Sequence, residues 1–182
     1  MVIQRFKMSK DSTFFGWHSA FSVYGLKDFA KDSIIPAILS LLLVIVGVCS
    51  GADTYKMLGM VFSLGMSIIP VMISLLIAAY AILLSMFCSK TANDIAGLDG
   101  GKELLAHLNS DFAVSIYVSI VSILVILPGS FIHGLGLLFE YSSLVNSIVS
   151  FGVLYLLFFS VLILKDLVIA IYDIGQVAIH YK

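Results

Sequence analysis

MLGMVFSLGMSIIPVMISLLIAAYAILLSMFC, residues 57–88, holds no Asp, Glu, Lys, Arg or His over its whole length. A helix needs about 20 apolar residues to cross roughly 30 Å of hydrocarbon, and this stretch would measure about 48 Å if wholly helical. It is therefore one long membrane span that tilts, kinks at Pro70 or protrudes. Working outward, residues 33–50 before it and 112–128 and 145–164 after it are equally free of charge. The expected fold is all-α and polytopic: four transmembrane helices, an N-terminal interfacial amphipathic helix, and long cytoplasmic helix extensions.

Composition agrees. The chain is 60% hydrophobic and 12% charged, with a mean hydropathy of +1.11, whereas soluble domains carry about 25% charged residues. No Pro/Ser-rich linker divides the apolar runs, so residues 1–182 form one four-helix transmembrane domain. The absence of an internal repeat weakens an inverted-repeat transporter.

Basic residues set the orientation. Arg5, Lys7, Lys10, Lys27 and Lys31 precede the first span, Lys90 and Lys102 separate the second from the third, and Lys165 and Lys182 follow the fourth; only Lys56 falls opposite. Positively charged loops resist translocation, which predicts cytoplasmic termini, a cytoplasmic 88–111 loop, and residues 51–56 and 128–146 outside. Residues 1–33 lack the unbroken apolar core of a signal peptide, Val2 stands where myristoylation needs glycine, and the terminal Ile-His-Tyr-Lys is no prenylation box, so neither cleavage nor lipidation is expected.

At the N-terminus, Asp11-Ser12 offers a cap and Phe14, Trp17, Phe21 and Tyr24 recur on one helical face, as suits rings in the headgroup region. Lys27, Asp28, Lys31 and Asp32 then read as a charged hinge, with residues 12–32 forming helix and hinge together and Pro36 in the first turn of the first span. Pro70 is read as a packing kink whose freed carbonyl Ser67 or Ser74 satisfies, with a gating hinge as the alternative. Gly59 with Ser63, and Ser115 with Ser119, have the small-xxx-small spacing of close helix packing, and the same surfaces suit homo-oligomerisation.

Gly100-Gly101-Lys102 does not make a phosphate loop: no G-x-x-x-x-G-K-[ST] is present, and Glu103 replaces the hydroxyl residue. Leu104, Leu105 and Leu108 predict a short amphipathic helix, closed by Asn109-Ser110-Asp111 before the third span. Its polar face, with Glu103 and His107, is a candidate partner-docking surface. Pro128-Gly129 is expected to end the third span, leaving residues 131–141 as an interfacial or shallow re-entrant turn in which His133 and Glu140 are the charged or titratable groups apart from Tyr141. Beyond residue 164 the fourth helix is expected to continue into the cytoplasm as a 165–182 extension. Asp166, Asp173 and His180 recur there every seven residues, joined by Gln176, so Asp166, Asp173 and Gln176 are further docking candidates.

Cys49 and Cys88 fall near opposite ends of their spans, too far apart for a disulfide, and with His18, His107, His133 and His180 they make no metal spacing. No cofactor or metal is expected. No charged group falls mid-span, which argues against a coupled transporter, and no catalytic constellation is recognisable, which argues against an enzyme.

The charged lead-in to Asp32-Ser33-Ile34-Ile35-Pro36, the phrase Glu103-Leu-Leu-Ala-His-Leu-Asn-Ser-Asp-Phe, and the terminal Leu164-Lys-Asp-Leu-Val-Ile-Ala-Ile-Tyr-Asp-Ile-Gly-Gln-Val together resemble, in layout, small four-span proteins of bacterial phage-defence loci, with the membrane subunit of the Kiwa system as a candidate. The resemblance implies an inner-membrane oligomer coupled to a cytosolic effector, and it carries over no functional residue. Two readings follow. One is a non-enzymatic scaffold or sensor that contacts membrane lipid, oligomerises and recruits a cytosolic protein, with no direct binding of nucleic acid. The other is a homo-oligomeric channel or permeabilising effector, in which Gly59, Ser63 and Pro70 would govern ion flux.

Overall fold

The computed structural model describes residues 26–87, 93, 95–97, 100–136 and 142–180. They form four helices: α1 Leu26–Cys49, α2 Thr54–Phe87, α3 Gly101–Gly134 and α4 Ser143–His180. Each is long and apolar enough to cross a membrane, and the chain is an all-helical integral membrane protein. The aromatic segment carrying Phe14, Trp17, Phe21 and Tyr24 lies outside the described residues, as do Cys88, Lys90 and Glu140.

Three helix ends differ from the expectation, each for a local reason. The charged hinge at 27–32 is the first part of α1, so Pro36 sits well inside the helix. The short helix ending at 109–111 and the third span are one continuous α3, which also runs through Pro128-Gly129 to Gly134. Proline inside a membrane helix forfeits one backbone bond, and packed neighbours can hold the helix across that gap. Ser67 and Ser74 do not mend the gap at Pro70: their hydroxyls donate to the carbonyls of Ser63 and Pro70, at 2.9 and 3.0 Å, and not to Met66, whose partner the proline removes.

The expected continuation of the fourth helix is present, since α4 is a single 38-residue helix. It is the hub, packing against all three others, while α1 leans on α4 and only grazes α2. On α1, Pro36, Ser40 and Val44 are buried at four-residue spacing. Ile34, Ile35, Ile38, Leu41, Leu42 and Leu43 face outward, as befits a helix whose solvent is lipid. The Phe29 ring meets Phe159 at 5.0 Å, and Tyr155 O–H donates to Ser33 Oγ at 2.9 Å, which itself donates to the Phe29 carbonyl at 2.7 Å. These pairs fix α1 antiparallel to α4.

α2 and α3 form an antiparallel hairpin joined side by side with large residues set against glycines. A Cβ on Gly59 would lie 2.8 Å from the His133 ring, one on Gly65 2.8 Å from Ile126, and one on Gly129 2.7 Å from Phe62. Close approach of this kind replaces the hydrophobic drive that lipid removes. Asp53 caps α2, its Oδ1 accepting the Tyr55 and Lys56 N–H groups at 3.0 and 3.4 Å.

α2, α3 and α4 are each longer than a membrane crossing needs. The described part of α1, 24 residues, covers about 36 Å, and α2 and α3, of 34 each, reach about 51 Å. At the end bearing the α1–α2 connection, Tyr55 and His133 bring the start of α2 level with the end of α3. At the other end the Phe29–Phe159 and Ser33–Tyr155 register sets Leu26, the first described residue of α1, level with Leu162, and about 27 Å of α4 lies beyond that level. Among the described residues this end is a stem of α2, α3 and α4 with its own core of Leu76, Leu83, Leu108, Phe112 and Leu167, closed by Ile95 from the α2–α3 link.

Candidate functional site

Polar groups gather in three places, and their hydrogen bonding separates scaffolding from surface. The first is a clasp between the start of α2 and the end of α3. Tyr55 O–H donates to the His133 carbonyl at 2.8 Å, His133 Nε2 lies 3.0 Å from the Tyr55 carbonyl, and the two rings stack at 4.2 Å. A carbonyl only accepts, so Nε2 carries the proton. Both groups are spent on each other, and His133 is a structural residue and not the lining of a mouth. Tyr55→Phe is expected to cost about 1 kcal/mol and His133→Ala about 2–3 kcal/mol, since the latter also loses the stack and opens space beside Gly59; thermal unfolding in detergent measures both.

The second place is a seam of buried serines. Ser115, Ser119 and Ser122 on α3 and Ser160 on α4 are almost wholly enclosed. Each donates to the carbonyl four residues back, at 2.6, 2.9, 2.8 and 2.8 Å. Hydroxyls satisfied within their own helix need no water or partner, so the seam is dry packing. Ser115 and Ser119 thus hold the protomer together and present nothing to a second copy. Gly59 is likewise occupied by the His133 ring, whereas its partner in the small-xxx-small pair, Ser63, is exposed. That pair is not one surface.

The stem is the third place. Glu103 and His107, one turn apart on α3, are exposed at its tip, and Gln176 lies on α4 at the same end. Antiparallel pairing of α3 with α4, marked by Ser122 and Ser160 at 3.4 Å, brings Gln176 level with His107. Asp166 and Asp173 are on the same stretch of α4, nearer its emergence from beside α1. Pro70 is far from the tip and lies near the level of Leu162, where the stem begins. Tyr80 O–H donates to Asn109 Oδ1 at 3.0 Å, tying α2 to α3 across the stem.

Two hollows open in this region. A groove of about 190 Å³ between α2 and α4 is lined by Ala79, Ile82, Leu83, Met86, Leu108 and Ile171. A wider recess of about 380 Å³ beside the α2–α3 link takes in Phe87, Asn93, Ala96, Leu105 and Asn109. The flanks are apolar, with Ile82 73% exposed and Val168 59%. Exposed apolar surface beside titratable side chains, beyond the level of Leu26, is the pattern of a contact surface.

Among the described residues no group of three His, Cys, Asp or Glu is placed to hold a metal ion. Comparison with known families, with curated proteins and with solved structures gives no match to this chain.

Proposed function

We propose that this protein is a non-enzymatic scaffold or sensor of the bacterial inner membrane that oligomerises and recruits a cytosolic effector through its three-helix stem. The observation that carries the reading is the stem: α2, α3 and α4 are 34, 34 and 38 residues long, and the same end of the bundle carries an apolar groove and the exposed Glu103 and His107. Helices serving only to cross lipid have no use for about 27 Å of extra length. The bias of Lys and Arg toward that end supports a cytoplasmic orientation, both termini included. A place in antiphage defence is supported by the likeness in layout to small four-span proteins of phage-defence loci.

The test is an affinity purification from cells carrying the native neighbouring genes, with the mass of the eluted particle measured. A stoichiometric soluble protein encoded beside this gene is the expected result. Combining Glu103→Arg, His107→Asp and Gln176→Arg should weaken its retention at least about tenfold, or 1.4 kcal/mol, while the particle stays monodisperse. A pure homo-oligomer that conducts ions in bilayers would overturn the reading in favour of a channel.

A further inference from the structure

We propose that the bundle holds an ordered water molecule on the Ser150 hydroxyl, near the end that carries the α1–α2 connection. The observation is a departure from a rule that other buried serines keep. Ser40, Ser115, Ser119, Ser122 and Ser160 each donate to the carbonyl four residues back, which satisfies a hydroxyl inside its own helix. Ser150 is 0% exposed, yet among the described residues its Oγ has no hydrogen-bond partner. A hydroxyl enclosed in this way forfeits its bonds to solvent unless a water is enclosed with it, and inside a membrane that loss is heavier.

The surroundings fit that ligand. One turn earlier on the same face of α4 is Asn146, 1% exposed, whose amide offers both a carbonyl and an NH2 group. Val153 and Leu157, within about 60° of the direction of Ser150, are buried as well, and Val153 packs with Leu58, Val61 and Ile126. Ser150 therefore points inward, between α2 and α3. The antiparallel register of Ser122 with Ser160 puts it level with Ile132, beside His133, at the depth of the Tyr55–His133 clasp. Polar side chains of α2, α3 and α4 thus share one level. Counted from Ser143, the first residue of α4, Asn146 lies about 4.5 Å and Ser150 about 10 Å along the helix, a short way in from that end. Deeper, Leu58, Val61, Ile126 and Val153 close the core, and the hydroxyls of the serine seam are spent on their own helices. A metal cation would need several oxygen ligands; water both donates and accepts, and makes about three bonds in a protein interior. The site is a hydrated pocket that stops at Val153 and not a path through the protomer. It lies at the opposite end from the stem, so the inference goes beyond recruitment and is tested without it.

Water-edited solid-state NMR of the chain in deuterated phosphatidylcholine/phosphatidylglycerol bilayers reads the pocket directly. Magnetisation that starts on water should reach Ser150 Cβ and the Asn146 side-chain amide severalfold faster than Cβ of Ser119, Ser122 and Ser160. Ser150→Ala should slow the transfer to the Asn146 amide to the rate of the seam. The same variant should lower the unfolding temperature in detergent, because the water loses a partner. Transfer to Ser150 as slow as to Ser119 would overturn the proposal, as would a rise in unfolding temperature for Ser150→Ala, the sign of a hydroxyl removed from a dry core. Equally fast transfer to all these positions would also overturn it, replacing the closed pocket with a continuous water path and favouring the channel.

Discussion

Gly101→Ala is expected to unfold the tip of the stem, although it adds one methyl group. A Cβ at this position would fall inside the van der Waals envelope of the Ile95 carbonyl oxygen and against the Ala96 backbone. Both obstacles are main chain and cannot rotate aside as a side chain does. Relief by backbone movement is also restricted, because the preceding Gly100 holds a φ of +75° to turn the chain into α3, a conformation that costs other residues about 1–2 kcal/mol. The expected loss is at the upper end for overpacking, about 3 kcal/mol. Gly152→Ala supplies the contrast: nothing lies within 4 Å of a Cβ there, and inside a helix alanine is better than glycine by roughly 0.5–1 kcal/mol. Thermal unfolding of the detergent-solubilised proteins should move in opposite directions for the two variants.

That prediction shows where the sequence was legible and where it was not. Gly100-Gly101-Lys102 is instructive in sequence only by what it fails to be, since a nucleotide loop needs neighbours that are absent. Its structural role depends on Ile95 returning to touch Gly101, a contact between backbones that leaves no mark on side-chain pattern. The four crossings were legible because excluding charge from hydrocarbon writes itself into every residue of a span. Helix ends were harder: Pro36 and Pro128 read as boundaries by local chemistry, yet neighbouring helices hold α1 and α3 straight through them.

The small residues show the same division. Gly59 and Ser63 have the right spacing for an interface, but spacing cannot say whether the neighbour belongs to the same chain. His133, 78 residues beyond Tyr55, settles that for Gly59, and no periodicity in the sequence links the two. The stem was legible as length, through the charge-free 57–88 run and the Asp166, Asp173 repeat. The side on which α1 would sit was not, because Ser33 and Tyr155 meet across 122 positions. The order of the helices follows from such contacts: α1 is held to α4 by one narrow stripe, while α2, α3 and α4 pack against one another.

Phe112→Ala should be far more damaging than Ile69→Ala, although both residues are fully buried, because the two cores face different solvents. Ile69 packs with Leu58, Val61, Ile126 and Val153 at the level of α1, where a chain that loses its packing still rests in hydrocarbon. There is no transfer from water to lose, and truncation costs only contacts, about 1–2 kcal/mol. Phe112 lies in the stem core with Leu76, Leu83, Leu108 and Leu167, its ring 5.6 Å from that of Tyr80. If the stem stands in water, its loss combines transfer and cavity, about 3–5 kcal/mol. Equal losses would mean that lipid covers this end, and the stem would then be no docking element. A second measurement makes the same distinction without a stability assay. In a Cys49→Ser, Cys88→Ser background, Ile82→Cys should react rapidly with a membrane-impermeant maleimide added to inside-out vesicles, because Ile82 is 73% exposed on the stem flank. Ile45→Cys, 47% exposed on α1, should stay unlabelled, since a thiol facing hydrocarbon neither ionises nor meets the reagent. Rapid labelling at both positions would place α1 outside the bilayer, and labelling at neither would place the stem inside it.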